Sequence, residues 1–209
     1  GVIPWKQIVI SGHVLSKDSG KISKSKGNSI YEPEVLLATY PADAIRYWTA
    51  SARLGTDVAF SEGQMRIGQR LLVKLWNAAK FVVQFDAPFK PEPVEKPQYG
   101  LNQYILHRIT SMWQTYRRQQ QNHEASLALA TIEQFFWSDF CDNYLEYVKP
   151  ILFNPNQFDD TVVHETRHTL THIFMRILQC YAPFVPHVTE TIYQELSGGG
   201  RSLHSSLFT

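Results

Sequence analysis

Apolar residues return at helical spacing along most of the chain, and the opening residues break that rhythm. Gln7, Ile8, Val9 and Ile10 form a run rich in β-branched residues that Gly12 interrupts, and Lys17, Asp18, Ser19 and Gly20 are turn chemistry. The opening therefore reads as a short strand feeding a loop. One strand makes no sheet, so its partner is either the neighbouring His13, Val14 and Leu15 or sequence outside this chain. Pro33 and Pro41 stand where a first helical turn tolerates proline and predict helices over residues 33–40 and 41–53. Ser61 followed by Gln64 is a capping-box signature for a longer helix, with Met65, Leu72, Leu75, Trp76, Ala79 and Val83 expected along its buried face.

Residues 86–100 hold Pro88, Pro91, Pro93 and Pro97 among charges, a composition that prevents regular structure and reads as a semi-rigid linker. Beyond it, residues 101–120, 124–148 and 159–181 carry long helical patterns. The second places Leu129, Ile132, Phe136, Phe140, Tyr144 and Val148 on one stripe. Pro183 and Pro186 stop the third pattern, and Pro186 can open a fourth that Gly198, Gly199 and Gly200 end. The fold expected is mainly α, a helical bundle preceded by a short β and loop segment. With 209 residues and 44% hydrophobic content, a buried core is well supplied.

Composition adds mostly exclusions. A net charge of +1 gives no global basic field, so any RNA contact must come from local clusters. Cys141 and Cys180 lie far apart without a C-x-x-C spacing, which fits two reduced thiols in a cytoplasmic protein. No apolar run approaches the ~18 residues of a membrane span, and the opening residues lack the organisation of a signal peptide.

The chemistry concentrates in Lys21-Ile22-Ser23-Lys24-Ser25-Lys26-Gly27-Asn28. Lysine ammonium groups supply point charges, the hydroxyls supply neutral donors, and Gly27 permits close backbone approach, a set suited to a polyphosphate. A Walker A loop is excluded, because Gly20-Lys21 is followed by Ile22 and has no glycine at the required earlier position.

Lys21 to Ser25 resembles the Lys-Met-Ser-Lys-Ser signature of the class I aminoacyl-tRNA synthetases, with Ile22 in place of methionine as the apolar anchor. The continuation through Gly27-Asn28, Pro33-Glu34-Val35 and Ala42-Asp43-Ala44-Ile45-Arg46-Tyr47 is similar to that family's order of elements. Residues 52–62 and 74–81 resemble its valyl members, and residues 136–144 and 182–190 resemble its anticodon-binding domain.

The resemblance implies activation of valine by attack of its carboxylate on the α-phosphate of ATP, with Mg2+, followed by transfer to tRNA. It implies Lys24 as the first catalytic cation with Lys21 assisting, and an ATP site drawing on Lys21, Ser23, Lys24, Ser25 and Gly27. A mobile cation that reaches the phosphate oxygens only in the transition state lowers the barrier more than one bound throughout. The organisation it implies is the end of a catalytic domain over residues 1–30, stem-contact helices over 31–85, the linker over 86–100 and an anticodon-binding bundle over 101–209. The partner His-Ile-Gly-His motif is missing from this sequence, so the chain is expected to be a C-terminal part that is inactive alone. Two alternatives are an isoleucyl relative and a helical interaction module whose Lys/Ser loop is incidental.

For tRNA, single-stranded bases are held by stacking on aromatic or guanidinium planes and by hydrogen bonds to their edges. The candidates are Arg46, Arg53, Arg66 and Arg70 in the first helical region, and Arg108, Trp113, Arg117 and Arg118 on one later helix. Phe136, Trp137 and Phe140 read as core, since their spacing continues the apolar stripe. His164-Glu165-Thr166-Arg167-His168 satisfies the zinc-protease pattern H-E-x-x-H, with His172 a turn further on. Three histidines stacked on one helix face do not converge on one tetrahedral ion, so no metal site is expected and these are read as outer-face polar residues.

Overall fold

A computed structural model describes residues 3–16, 22, 32–85 and 97–205. The N-terminal part runs β1 (Val14–Leu15), α1 (Pro33–Thr39), α2 (Ala42–Ser51), β2 (Val58–Ala59) and α3 (Glu62–Val83). β1 and β2 pair in parallel, Val14 opposite Val58 and Leu15 opposite Ala59. A Cβ on Gly12 would sit 1.9 Å from the Thr56 carbonyl oxygen, so only glycine allows the approach. Beside it, the His13 amide donates to Asp57 Oδ1 at 2.8 Å. The strand expected at residues 7–10 does not form: Ile8, Val9 and Ile10 are exposed, and the bridge uses residues 14–15 instead. β-branched composition makes a strand only where a partner edge is available.

Ser61 caps α3 as its sequence predicts, its hydroxyl accepting from the Gln64 amide. The buried face of α3 is rotated from the expected one. Met65, Leu71, Leu75, Ala78, Ala79 and Val82 face inward, while Trp76 and Val83 are about two-fifths exposed. Gly68 marks the crossing with α2, where a Cβ would come within 3.1 Å of the Ala44 carbonyl oxygen.

The second part contains α4 (Gly100–Gln121), α5 (Ala125–Gln134), α6 (Leu145–Phe153), α7 (Asp160–Tyr181) and α8 (Pro186–Ser197). The helix predicted over residues 124–148 is continuous but winds as a π-helix from Phe135 to Tyr144. The predicted stripe is buried throughout, from Leu129 and Ile132 through Phe136, Phe140 and Tyr144 to Val148. The Phe140 ring stacks on Phe136, Tyr144 and Phe174 with centroids 6.0 to 6.2 Å apart. Asp159 caps α7 through the Thr161 amide, and Gly198, at φ 70°, ends α8 in the left-handed conformation that glycine tolerates.

Two cores result. The large one joins Tyr47, Leu71, Leu75 and Val82 of α2 and α3 to the interior of α4–α8, so packing runs across the proline-rich boundary read from the sequence. The small one gathers Leu36, Trp48, Phe60 and Met65, with the Trp48 and Phe60 rings edge to face at 5.5 Å.

Candidate nucleic-acid interface

α3 carries an open basic surface. With its apolar row turned inward, Arg66, Arg70 and Lys74 fall at successive i, i+4 positions on an outer face, spaced about 6 Å along the axis. They line a groove of about 660 Å³ together with Gln69, Asn77 and Trp137 of the π-helical segment. Lys74 Nζ lies 5.5 Å from the centre of the Trp137 ring. Arg66 makes only a loose 3.7 Å pair with Glu62, both side chains being well exposed, which is worth a few tenths of a kcal/mol and is easily exchanged. Cations for phosphates, amides for base edges and a ring face for stacking are the groups single-stranded RNA requires.

The other sequence candidates are placed differently. Arg46 points back into the protein, Nη2 donating to the Pro183 carbonyl at 2.9 Å and Nε to the Phe184 carbonyl at 3.3 Å. Arg108 forms a two-pronged bond to Asp139, at 2.9 and 3.0 Å. Trp113 is half-buried, stacked on Tyr116 at 5.7 Å with the Arg176 guanidinium over its face. Arg117 and Arg118 are exposed near the end of α4. Arg53 is exposed in a separate cleft of about 350 Å³ with residues 7–10 and 122–127. Lys21, Ser23, Lys24, Ser25 and Gly27 lie outside the described residues.

Four contributors escape the sequence reading, Gln69 and Asn77 among them, since nothing local marks a surface amide as a ligand. Lys74 extends the i, i+4 series begun by Arg66 and Arg70, a signal that was available. Trp137, expected in the core, is half-buried: it packs against the large core and also lines the groove.

The H-E-x-x-H segment has a structural explanation. The Glu165 carboxylate accepts from the backbone amides of Gln98 and Tyr99 at 3.0 to 3.1 Å and so caps the start of α4, rather than facing outward. Next to it, buried Thr166 accepts from Asn102, which in turn accepts from the Tyr144 hydroxyl at 2.9 Å. Burial and the nearby Arg176 lower the pKa of His172. Among the described residues no three His, Cys, Asp or Glu side chains are grouped to hold a metal ion. Both cysteines are buried and free, and burial pushes the Cys141 thiol up to about 12. No helix among the described residues is long and apolar enough to cross a membrane.

Comparison with known proteins fits this geometry. The family model "Anticodon-binding domain of tRNA ligase" matches residues 102–209, and "tRNA synthetases class I (I, L, M and V)" matches residues 1–61. Valine–tRNA ligase of Rickettsia prowazekii is 41% identical over 203 residues, covering 93% of this chain and 25% of that protein. The Ehrlichia canis valine–tRNA ligase is 38% identical over 208 residues, covering 97% and 25%. The chain thus spans about a quarter of the length of the curated relatives it matches. In fold it is similar to the agnB2 LeuRS of Agrobacterium radiobacter K84, solved in a ternary complex with tRNA and LeuAMS. That likeness has a TM-score of 0.67 at 16% identity and covers 92% of this chain and 23% of that one. With the anticodon-binding model matching more than half of its length, the chain belongs to the family of tRNA-ligase anticodon-binding domains, and its opening residues match the class I synthetase model.

Proposed function

We propose that the chain is the C-terminal part of a valine–tRNA ligase, an enzyme that activates valine with ATP and transfers it to valine tRNA. The observation that carries this reading is the identity of about 40% to proteins of that name, sustained over 93% of the chain, from the Lys/Ser loop into the bundle. In this reading residues 1–30 end the catalytic domain, 31–85 supply stem-contact helices, 86–100 link and 101–209 receive the anticodon. Lys24 neutralises charge building on the phosphate oxygens as pyrophosphate leaves, and Lys21 assists. Ser23, Ser25 and the Gly27 backbone complete the ATP contacts.

Mg2+ accompanies ATP in this chemistry and is commonly held by substrate phosphates with few protein ligands. Because the described residues offer no metal cluster, we assign no Mg2+ ligand to this chain. On the tRNA side, Arg66, Arg70 and Lys74 meet backbone phosphates while Trp137 and the two amides meet exposed bases. Arg53, Arg117 and Arg118 are left as outlying cations. The chain alone should form no aminoacyl-adenylate, since it lacks the partner motif of the active site.

The test is binding of valine tRNA and of a transcript with a swapped anticodon across a salt titration. Salt weakens phosphate attraction and spares base readout. A preference for the native transcript that survives rising salt supports the reading. Equal, salt-labile binding of both transcripts overturns the anticodon assignment, and valine-independent pyrophosphate exchange by the full-length enzyme overturns the amino acid.

A further inference from the structure

The groove on α3 holds an occupant of its own. The Lys74 ammonium stands over the Trp137 ring, 5.5 Å from its centre, within the ~6 Å over which a cation is drawn to an aromatic face. Both side chains line the same groove, so the face that the ammonium covers is the one an incoming base would use. The rest of the indole is committed: Trp137 packs against the large core, and the Phe136 ring meets it edge to face at 5.7 Å. Cys141, four residues further along the π-helical segment, reports the same placement. Burial raises the pKa of its thiol, and the Lys74 charge pulls against that rise, so the half-buried lysine lies across this segment instead of extending into solvent.

What holds Lys74 there is weak. Among the described residues it has no carboxylate partner, whereas Arg66 keeps its pair with Glu62. A partly exposed cation over a ring is worth about two- to fivefold in an equilibrium constant, and a base stacked on such a ring about fivefold to a hundredfold. The base therefore wins the ring. The groove, about 660 Å³, has room for a base and for the displaced ammonium.

We propose that Lys74 is a displaceable lid on Trp137: an unpaired base takes the ring face, and the ammonium moves onto a phosphate of the same strand. Lys74 is then a specificity-determining residue, because only a ligand that brings a base and a phosphate together offsets the displacement. The proposal rests on the reading of this groove as an RNA interface and deepens it by naming the RNA element, an unpaired nucleotide. The bases of a duplex are stacked within the helix and leave the lid in place.

The experiment is a salt titration of full-length Lys74→Ala beside the unsubstituted enzyme, with valine tRNA and with a blunt RNA duplex. Removing the ammonium deletes a phosphate contact and uncovers the ring, two effects of opposite sign and different salt dependence. With valine tRNA, Lys74→Ala should bind more weakly at low salt, with a slope of log K against log salt smaller by about 0.7. At high salt it should bind about threefold more tightly, so the two curves cross. With the duplex the curves should converge without crossing. Lys74→Arg, which keeps a cation over the ring, should keep the slope and never bind more tightly than the unsubstituted enzyme. Curves for valine tRNA that fail to cross would make Lys74 a plain phosphate contact and overturn the lid. Curves that cross for the duplex as well would mean that the ammonium only obstructs the groove, which also overturns it. Arg66→Ala and Arg70→Ala separate this from failure of the underlying reading. If they leave tRNA affinity and slope unchanged, the groove is no RNA interface and the lid falls with it; if they weaken binding while the Lys74→Ala curve does not cross, the lid alone falls. A second measurement reads the lysine directly. In enzyme whose lysines carry isotope-labelled methyl groups, the Lys74 signal, identified by its loss in Lys74→Arg, should be shifted upfield by the indole ring and return among the other lysines when valine tRNA saturates the enzyme. A signal that stays upfield in the complex, or that is not shifted in the free enzyme, overturns the proposal.

Discussion

α3 and α4 are helices of equal length, 22 residues each, and each carries arginines on its outer face. α3 leaves its cations facing a groove, with Arg66 in a 3.7 Å pair and Lys74 against a tryptophan ring. α4 commits several of its polar groups to the protein itself, Arg108 to Asp139, Asn102 to Thr166 and Tyr144, and the Tyr116 hydroxyl to the Cys180 carbonyl at 2.7 Å, while Arg117 and Arg118 stay exposed near its end. The first arrangement is suited to exchanging a weak intramolecular contact for a phosphate. The second is suited to fixing the register of a bundle. Arginines on an outer helix face are therefore left open on α3 and, at Arg108, tied into the bundle on α4, and the partner geometry decides which.

The largest expected effect comes from stripping the α3 face. Arg66→Ala, Arg70→Ala and Lys74→Ala combined should reduce the slope of log K against log salt for tRNA by about two units, since each lost phosphate contact removes most of a unit. Thermal unfolding should hardly change, because none of the three supports the core. An unchanged slope in the full-length enzyme would remove α3 from the interface and dissolve the contrast with α4.

Next comes Asn102→Ala on α4. It leaves the Tyr144 hydroxyl without its acceptor and Thr166 without its donor in a buried setting, at a cost of about 3 kcal/mol in total. Local hydrogen exchange in α4 and α7 should accelerate by roughly a hundredfold, with tRNA affinity unaffected apart from any loss of folded protein. A binding defect as large as the exchange defect would mean that α4 has a direct RNA role.

Trp137→Leu sharpens the comparison at a smaller scale. Leucine keeps apolar volume against Phe136, whose ring lies 5.7 Å away, but removes the stacking face. If a base stacks there, affinity should fall by about tenfold, since such contacts are worth ~1 to 3 kcal/mol, and the salt slope should stay the same. A changed slope with little change in affinity at low salt would assign Trp137 to holding Lys74 in place instead.

How much of this was legible beforehand follows from what periodicity can carry. The stripe from Leu129 to Val148 is readable because a single apolar row dominates that helix, and the cap at Ser61 uses local chemistry that sequence states directly. The α3 face was misread because two neighbouring rows are both apolar. Trp76 and Val83 compete with Leu71 and Val82, and only the crossing with α2 at Gly68 selects between them. The strand at residues 7–10 has the right composition but no paired edge. At the site, Arg66 and Arg70 could be named as basic, yet nothing local separates them from Arg46, whose acceptor at Phe184 lies 138 residues away. Asp43 is hidden for the same reason: a carboxylate that accepts from the His187 amide at the start of α8, 144 residues further on, leaves no mark in its own neighbourhood.

The smallest effect tests the quiet side of the comparison. Arg108 is a sequence candidate for tRNA contact, and its guanidinium meets Asp139 through two nearly parallel bonds. The Arg108 side chain is 44% exposed and that of Asp139 13%, so solvent screens the pair and its loss should cost at most about 1 kcal/mol. Arg108→Ala should leave tRNA affinity within about twofold, because a cation already neutralised by a fixed carboxylate releases few counterions from RNA. Asp139→Asn then becomes the informative partner. It frees the guanidinium without removing it, and if α4 lies near the RNA path, this substitution should tighten binding and steepen the salt dependence by close to one unit. Should Arg108→Ala instead weaken binding as strongly as a single α3 substitution, the pair must open when tRNA arrives, and α4 would join α3 as a binding helix.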